Sequence, residues 1–147
     1  MKLAILGTRG IPNYYGGFEQ FAQYLSKEFT IKGHEVYVYN SSAHPYQEKV
    51  WNGVNIIHCK DPEDKIGTAG QFIYDLNCIL DSRKRDFDII IDDGPHTKES
   101  MIFCAKYYSN LLKNNGMLII EDVQSINWVS EIIAAFPIDL QKYVSLF

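Results

Sequence analysis

Cysteine is scarce in this chain of 147 residues. Cys59, Cys78 and Cys104 are widely spaced and odd in number, which excludes a disulfide framework and a CxxC metal motif and points to a reducing, cytoplasmic setting. Long apolar runs are missing too. The amino-terminal run Leu3-Ala4-Ile5-Leu6 stops at Gly7, too early for a secretory leader, and no run reaches the roughly 18 residues of a membrane span. Peripheral contact with a membrane surface stays open. Positive charge is not in excess: 14 basic against 18 acidic side chains give a net charge of −4, so no global field draws in nucleic acid. Arg83-Lys84-Arg85 is partly cancelled by Asp81 and Asp86 and reads as the solvated last turn of a helix. His34, His44 and His58 have no ligand spacing and read as surface or strand-end residues.

What is present describes one folded domain. Apolar residues make up 46% and charged residues 22%, ordinary globular values, and a chain this long buries roughly 68–70% of the surface it exposes when unfolded. Short apolar runs at 3–6, 35–39, 54–58, 87–91 and 117–120 read as strands covered on both faces. Helical spacing fills the gaps. Phe18, Phe21, Ala22, Leu25 and Phe29 form one stripe, stopped at Gly33; Phe72, Ile73, Leu76, Ile79 and Leu80 form a second, expected to be buried. Thr97 reads as the N-cap of a third helix carrying Met101, Ile102, Ala105, Tyr108, Leu111 and Leu112 and ended by Asn114-Asn115-Gly116. Residues 126–136 predict a further helix, and Pro137 a last short one. Alternation of this kind predicts right-handed crossovers and a single Rossmann-like three-layer α/β domain with a mostly parallel sheet of about five strands.

Two stretches carry chemistry. The loop after the first strand ends in Gly16-Gly17 before a helix, which lets backbone N–H groups approach a phosphate or a sugar diphosphate. Its spacing is not GxGxxG, so it is no dinucleotide fingerprint; a turn serving loop geometry alone is the competing reading. The second stretch is Asp92-Asp93-Gly94-Pro95-His96 at a strand tip beside Glu121-Asp122. Carboxylates and a histidine on adjacent strand ends can hold Mg²⁺ and leave His96 as a general base. Equally, Asp92 can cap a turn and His96 can simply start a helix. Trp51 and Trp128 are either sugar-stacking platforms or packing residues.

Ile5-Leu6-Gly7-Thr8-Arg9-Gly10-Ile11-Pro12-Asn13-Tyr14-Tyr15-Gly16-Gly17-Phe18-Glu19, with Gly33-His34-Glu35-Val36, His44-Pro45-Tyr46 and Gly67-Thr68-Ala69-Gly70-Gln71-Phe72, resembles the amino-terminal domain of rhamnosyltransferase-like glycosyltransferases of the two-domain GT-B type, over residues 1–91. The resemblance implies that Gly16 and Gly17 face the phosphates of a nucleotide sugar while Arg9, Asn13, Tyr14 and Glu19 line an acceptor cleft. It also implies little transfer by this stretch alone, since that reaction occurs between two domains.

Residues 87–147 resemble instead the carboxyl half of class I S-adenosylmethionine (SAM)-dependent sugar O-methyltransferases, through Ile90-Ile91-Asp92-Asp93-Gly94-Pro95-His96 and the run Leu111 to Gln124. That likeness implies Asp92, Asp93 and Asp122 as metal-side acids and His96 as the base deprotonating a sugar hydroxyl. The two likenesses meet in the fourth strand, so the chain reads as a chimera of a glycosyltransferase-like portion (1–91) and a methyltransferase-like portion (92–147). Three functions follow: a domain binding a sugar acceptor or nucleotide-sugar phosphate, a sugar O-methyltransferase using SAM, and a non-catalytic fragment whose apolar tail, Val144 to Phe147, is covered by a partner copy.

Overall fold

The computed structural model describes residues 1–92, 94 and 96–146. Six strands form one sheet in the order β3-β4-β2-β1-β5-β6, with β1 at Lys2–Leu6, β2 at Glu35–Ser41, β3 at Val50–Trp51, β4 at Val54–Cys59, β5 at Phe87–Asp92 and β6 at Leu112–Ile120. Every pairing is parallel except the short β3–β4 hairpin. The single Rossmann-like α/β domain of the sequence reading is therefore present, and the short β3, which is not among the five expected runs, is the sixth strand.

The sheet is continuous across the seam between the two likenesses. Leu3 to Leu6 on β1 pair in register with Ile89 to Asp92 on β5. After β1 the chain moves outward through β2 to β4, then crosses back to β5 on the other side of β1. The switch point of this doubly wound sheet lies between β1 and β5, where open α/β folds place their ligands beyond the carboxyl ends of the strands.

Two helical layers cover the sheet. Helix α1, Gly17–Ile31, turns Ala22, Phe18, Leu25 and Phe29 onto Leu3, Ile5, Val36 and Val38. On the opposite face α3, Thr68–Ser82, and α4, Lys98–Tyr108, bury Tyr74, Cys78, Ile79, Cys104 and Tyr108 against Ala4, Leu6, Tyr39 and Ile90. A short α2, Glu63–Ile66, precedes α3. Helix α5, Val129–Ala135, follows a 3₁₀ turn at Ile126–Trp128 and packs on α4, with Trp128 in that small core. Trp51 is likewise packed into the α1 side of the core. The third helix ends at Tyr108 rather than near Asn114, and β6 begins at Leu112, earlier than expected; between Phe87 and Ile89 the pairing jumps from Leu112 to Met117.

The α3 stripe is corrected by the structure. Of Phe72, Ile73, Leu76, Ile79 and Leu80, only Ile79 is buried; the other four face outward, and Tyr74 and Cys78 take the core positions. The helix is apolar on two sides.

Candidate functional site

The rim at the switch point is built by a loop held from below. Gly10 has φ +130°, and a Cβ there would stand 2.4 Å from Asn40 Cγ. Only glycine fits so close to a buried carboxamide. Asn40 uses that proximity: its Nδ2 donates to the Ile11 carbonyl at 2.8 Å and its Oδ1 accepts from the Ile11 N–H at 3.0 Å. Tyr74, reaching up from α3, donates its hydroxyl toward the carbonyls of Thr8 at 2.7 Å and Tyr39 at 2.9 Å. The Ser41 N–H donates to the Arg9 carbonyl. Buried groups thus fix the loop to β2 and α3 before any ligand arrives.

His44, read from sequence as peripheral, is fully buried in this support. Its Nδ1 accepts from the Tyr46 N–H at 3.1 Å, and its Nε2 lies 3.1 Å from the Pro12 carbonyl, which assigns the proton of a neutral ring to Nε2. Burial lowers its pKa, which holds that neutral form. Tyr14 stands edge-on to the ring with centroids 5.4 Å apart and is otherwise exposed at the rim.

Of the glycosyltransferase-type residues, Asn13 faces its own loop: Oδ1 accepts from the N–H groups of Tyr15 and Gly16 at 2.9 and 3.2 Å. Gly16 caps α1 and Gly17 opens it. A Cβ on Gly17 would meet nothing within 4 Å, whereas one on Gly16 would lie 3.5 Å from Glu19 Oε2. Glu19 is 8% exposed, and its Oε1 accepts from the Arg9 N–H at 3.2 Å. A carboxylate therefore already occupies the positive end of α1. The Arg9 guanidinium forms a two-pronged pair with Glu63 of α2, which raises the arginine pKa and lowers that of the glutamate. The Tyr15 ring lies 5.9 Å from the guanidinium carbon. Arg9, Tyr14, Gly16, Gly17 and Glu19 share one loop and helix start.

The methyltransferase-type residues stand at the neighbouring strand tip. Asp92 is buried, and burial pushes its carboxyl up to about 6. Hydrogen bonds to Cys104, Tyr108 and the Gly94 backbone, and the nearby His96, oppose that rise. Its carboxylate is thus turned toward α4. His96 has φ +48°, and its N–H donates to the Gly94 carbonyl at 2.8 Å. It is close enough to Glu121 to act on that carboxyl, which burial and Asp122 raise. Asp122 is also left-handed, at φ +51°. Asp93 lies outside the described residues. Among the described residues no group of three His, Cys, Asp or Glu side chains is placed to hold a metal ion. All strands but β3 run parallel, so Gly17 and His96 open on the same edge of the sheet.

Sequence reasoning missed three acids on this edge. Asp61 accepts from the Ser41 hydroxyl at 2.6 Å and from the Glu63 N–H. Asp75, on α3, is pushed up to about 7 by burial and by the charges of Asp92 and Asp61, with Arg9 opposing. Asp61 and Glu63 come from a polar turn and Asp75 from the middle of the apolar helix α3, none of them in a motif; the parallel topology alone gathers them.

The fold and rim define a doubly wound Rossmann-like α/β domain whose loops open at the β1–β5 switch point. Within that class the chain belongs to the family described as a domain of unknown function (DUF1972), whose model matches residues 1–128. The match runs unbroken through the seam at residues 87–91. No curated protein and no solved structure matches the chain. Among the described residues no helix is long and apolar enough to cross a membrane.

Proposed function

We propose that this chain is a glycosyltransferase-like Rossmann domain that binds a sugar at the carboxyl edge of its sheet, above the β1–β5 switch point. The observation supporting it is the preassembled first loop, which leaves open space beside Gly17 and carries Arg9, paired with Glu63, and Glu19 on the same loop and helix start. Carboxylates and an ion pair hydrogen-bond sugar hydroxyls from several directions. Because Glu19 already sits at the α1 terminus, and Asp61, Glu63 and Asp75 crowd the same edge, a hydroxyl-rich acceptor fits better than a free diphosphate. A nucleotide sugar would have to bring its phosphates to Gly17 against that field. Transfer would need the second domain of the two-domain architecture. Three free buried thiols suit a reducing cytoplasm.

The methyltransferase reading is weaker on two counts. Asn40, at the end of β2 where a cofactor ribose would be held, has both ends of its carboxamide engaged by Ile11, and the buried Asp92 carboxylate is already engaged by Cys104 and Tyr108 of α4 and by the Gly94 backbone. Calorimetric titration with neutral methyl glycosides, nucleotide sugars and SAM separates the readings. Glycoside binding weakened about tenfold by Gly17→Val and by Glu19→Gln is the expected result. Binding of SAM abolished by Asp92→Asn would replace it with the methyltransferase reading.

A further inference from the structure

Two of the three cysteines meet between α3 and the sheet. Side chains alternate along a strand, so on β4 Ile57 and Cys59 face the α3 side while Val54 and Ile56 face the α1 side. On α3, Tyr74 and Cys78 stand about one turn apart on the buried side. Cys59, the last residue of β4, is 7% exposed, and Cys78 is fully buried. Their sulfurs are hydrogen-bonded to each other, and Cys78 is hydrogen-bonded in turn to the Tyr74 hydroxyl.

The two thiols are unequal. The hydrogen bond from Cys78 lowers the pKa of Cys59 against its burial, with Arg85 and Lys84 helping and Asp81 opposing. Burial and the bond to Cys59 push the Cys78 thiol well above its ordinary value. One sulfur is thus disposed to ionise and the other to keep its proton, which is the division between an attacking and a resolving cysteine. Cys104 differs from both: it is buried, its hydrogen-bonding partner is the Asp92 carboxylate rather than a sulfur, and burial and that charge raise its pKa.

We propose that Cys59 and Cys78 form an oxidation site at which a hydroperoxide closes a reversible disulfide within the chain. Cys59, the less buried sulfur, is the one a water-sized oxidant reaches first. Its thiolate attacks one oxygen of hydrogen peroxide: an S–O bond forms, the O–O bond breaks, and the departing hydroxide takes the proton that Cys59 had released. Cys78 then gives up its proton and its sulfur attacks the sulfenic sulfur of Cys59. An S–S bond forms, the S–O bond breaks, and the second hydroxide takes that proton. Two thiols have lost two electrons, the peroxide has become two waters, and a thiol reductant reverses the change. In a reducing compartment such a bond is transient. It bears on the rim through Tyr74, whose hydroxyl braces the Thr8 carbonyl of the first loop: an S–S bond of about 2.05 Å is shorter than any hydrogen bond between thiols, so closure draws α3 toward β4 and takes the Cys78 sulfur from Tyr74.

Treatment of the folded chain with hydrogen peroxide, then alkylation in denaturant and mass spectrometry of a non-reduced digest, tests this. The expected result is loss of the Cys59 and Cys78 thiols with Cys104 still alkylated, a peptide pair joined through Cys59 and Cys78, and return of all three thiols after dithiothreitol. Cys78→Ala should leave Cys59 as a sulfenic acid trapped by dimedone, and Cys59→Ala should slow oxidation of Cys78 at least tenfold. Far-ultraviolet circular dichroism confirms that the variants fold, and the wild-type mapping stands without them. Three thiols that all remain alkylatable overturn the proposal. So does a bridge to Cys104 or between chains, or a share of Cys59–Cys78 bridges among all pairings that is the same in urea as in the folded chain.

Discussion

Asn40 and Ile11 exchange two hydrogen bonds across the gap between β2 and the first loop, at 2.8 and 3.0 Å, with both residues fully buried. The carboxamide acts as a piece of backbone, satisfying one N–H and one C=O that water cannot reach. Asn40→Ala leaves both unpaired and should destabilise the fold by about 2–4 kcal/mol, because a buried unsatisfied polar group costs about 1–3 kcal/mol. Urea denaturation measures this. A loss below about 1 kcal/mol would mean that Tyr74 and Ser41 hold the loop without help.

Gly10 and Gly17, in the same loop system, should respond oppositely to one methyl group. At Gly10 the added Cβ meets Asn40 at 2.4 Å on a backbone with φ +130°, combining overpacking with left-handed strain. Gly10→Ala should cost about 2–4 kcal/mol. At Gly17 nothing lies within 4 Å, so Gly17→Ala should leave the unfolding midpoint within about 0.5 kcal/mol of wild type and show its effect in glycoside titration. Equal destabilisation by both would remove the basis for calling the space beside Gly17 a binding surface.

The contrast between those glycines also shows what was legible in the sequence. Short apolar runs at 3–6, 35–39 and 87–91 announced parallel strands because both faces of such strands are covered, and the loop after β1 was legible as a site because glycines cluster there. Nothing local distinguished Gly10 from Gly17, since the neighbour that decides is Asn40, thirty residues on. The α3 stripe failed for a different reason. Periodicity reports that apolar residues share a side of a helix, not which side meets the sheet, and α3 has two such sides. His44 was missed because its burial comes from Pro12, Tyr14 and Tyr46, contacts that no spacing encodes. Asp75 became part of the rim only through the crossover from β4 to β5.

That crossover makes stability depend on pH. Asp75 is raised to about 7 by burial and by Asp92 and Asp61, so the folded state holds its proton more tightly than the unfolded chain does. A raised carboxyl gives stability that is full below about pH 4, falls as pH climbs toward 7, and is level above. Asp92, raised to about 6 by burial, acts in the same sense over about pH 4–6. Asp75→Asn removes the cost of ionising the first group. It should raise the urea midpoint at pH 8, leave it nearly unchanged at pH 4, and flatten the slope between them. A variant less stable at pH 8 than wild type would show that the ionised Asp75 is held by a favourable partner.

Tyr108→Phe should tilt the same profile the other way. The Tyr108 hydroxyl and the Cys104 thiol hydrogen-bond the Asp92 carboxylate and hold its pKa down against burial. Both come from α4, whose start is fixed by Thr97 and Ser100: the Thr97 hydroxyl accepts from the Ser100 N–H at 3.1 Å, and the Ser100 hydroxyl from the Thr97 N–H at 3.2 Å. Removing the phenolic hydroxyl takes a hydrogen bond from the ionised form, so Asp92 should titrate above about 6. The variant should lose about 1–2 kcal/mol at pH 8, where Asp92 is charged, and less at pH 5, where it is protonated. Carboxyl carbon chemical shifts read the titration directly, and urea midpoints at the two pH values read the energy. An equal loss at both pH values would mean that Tyr108 only fills space between α4 and β5.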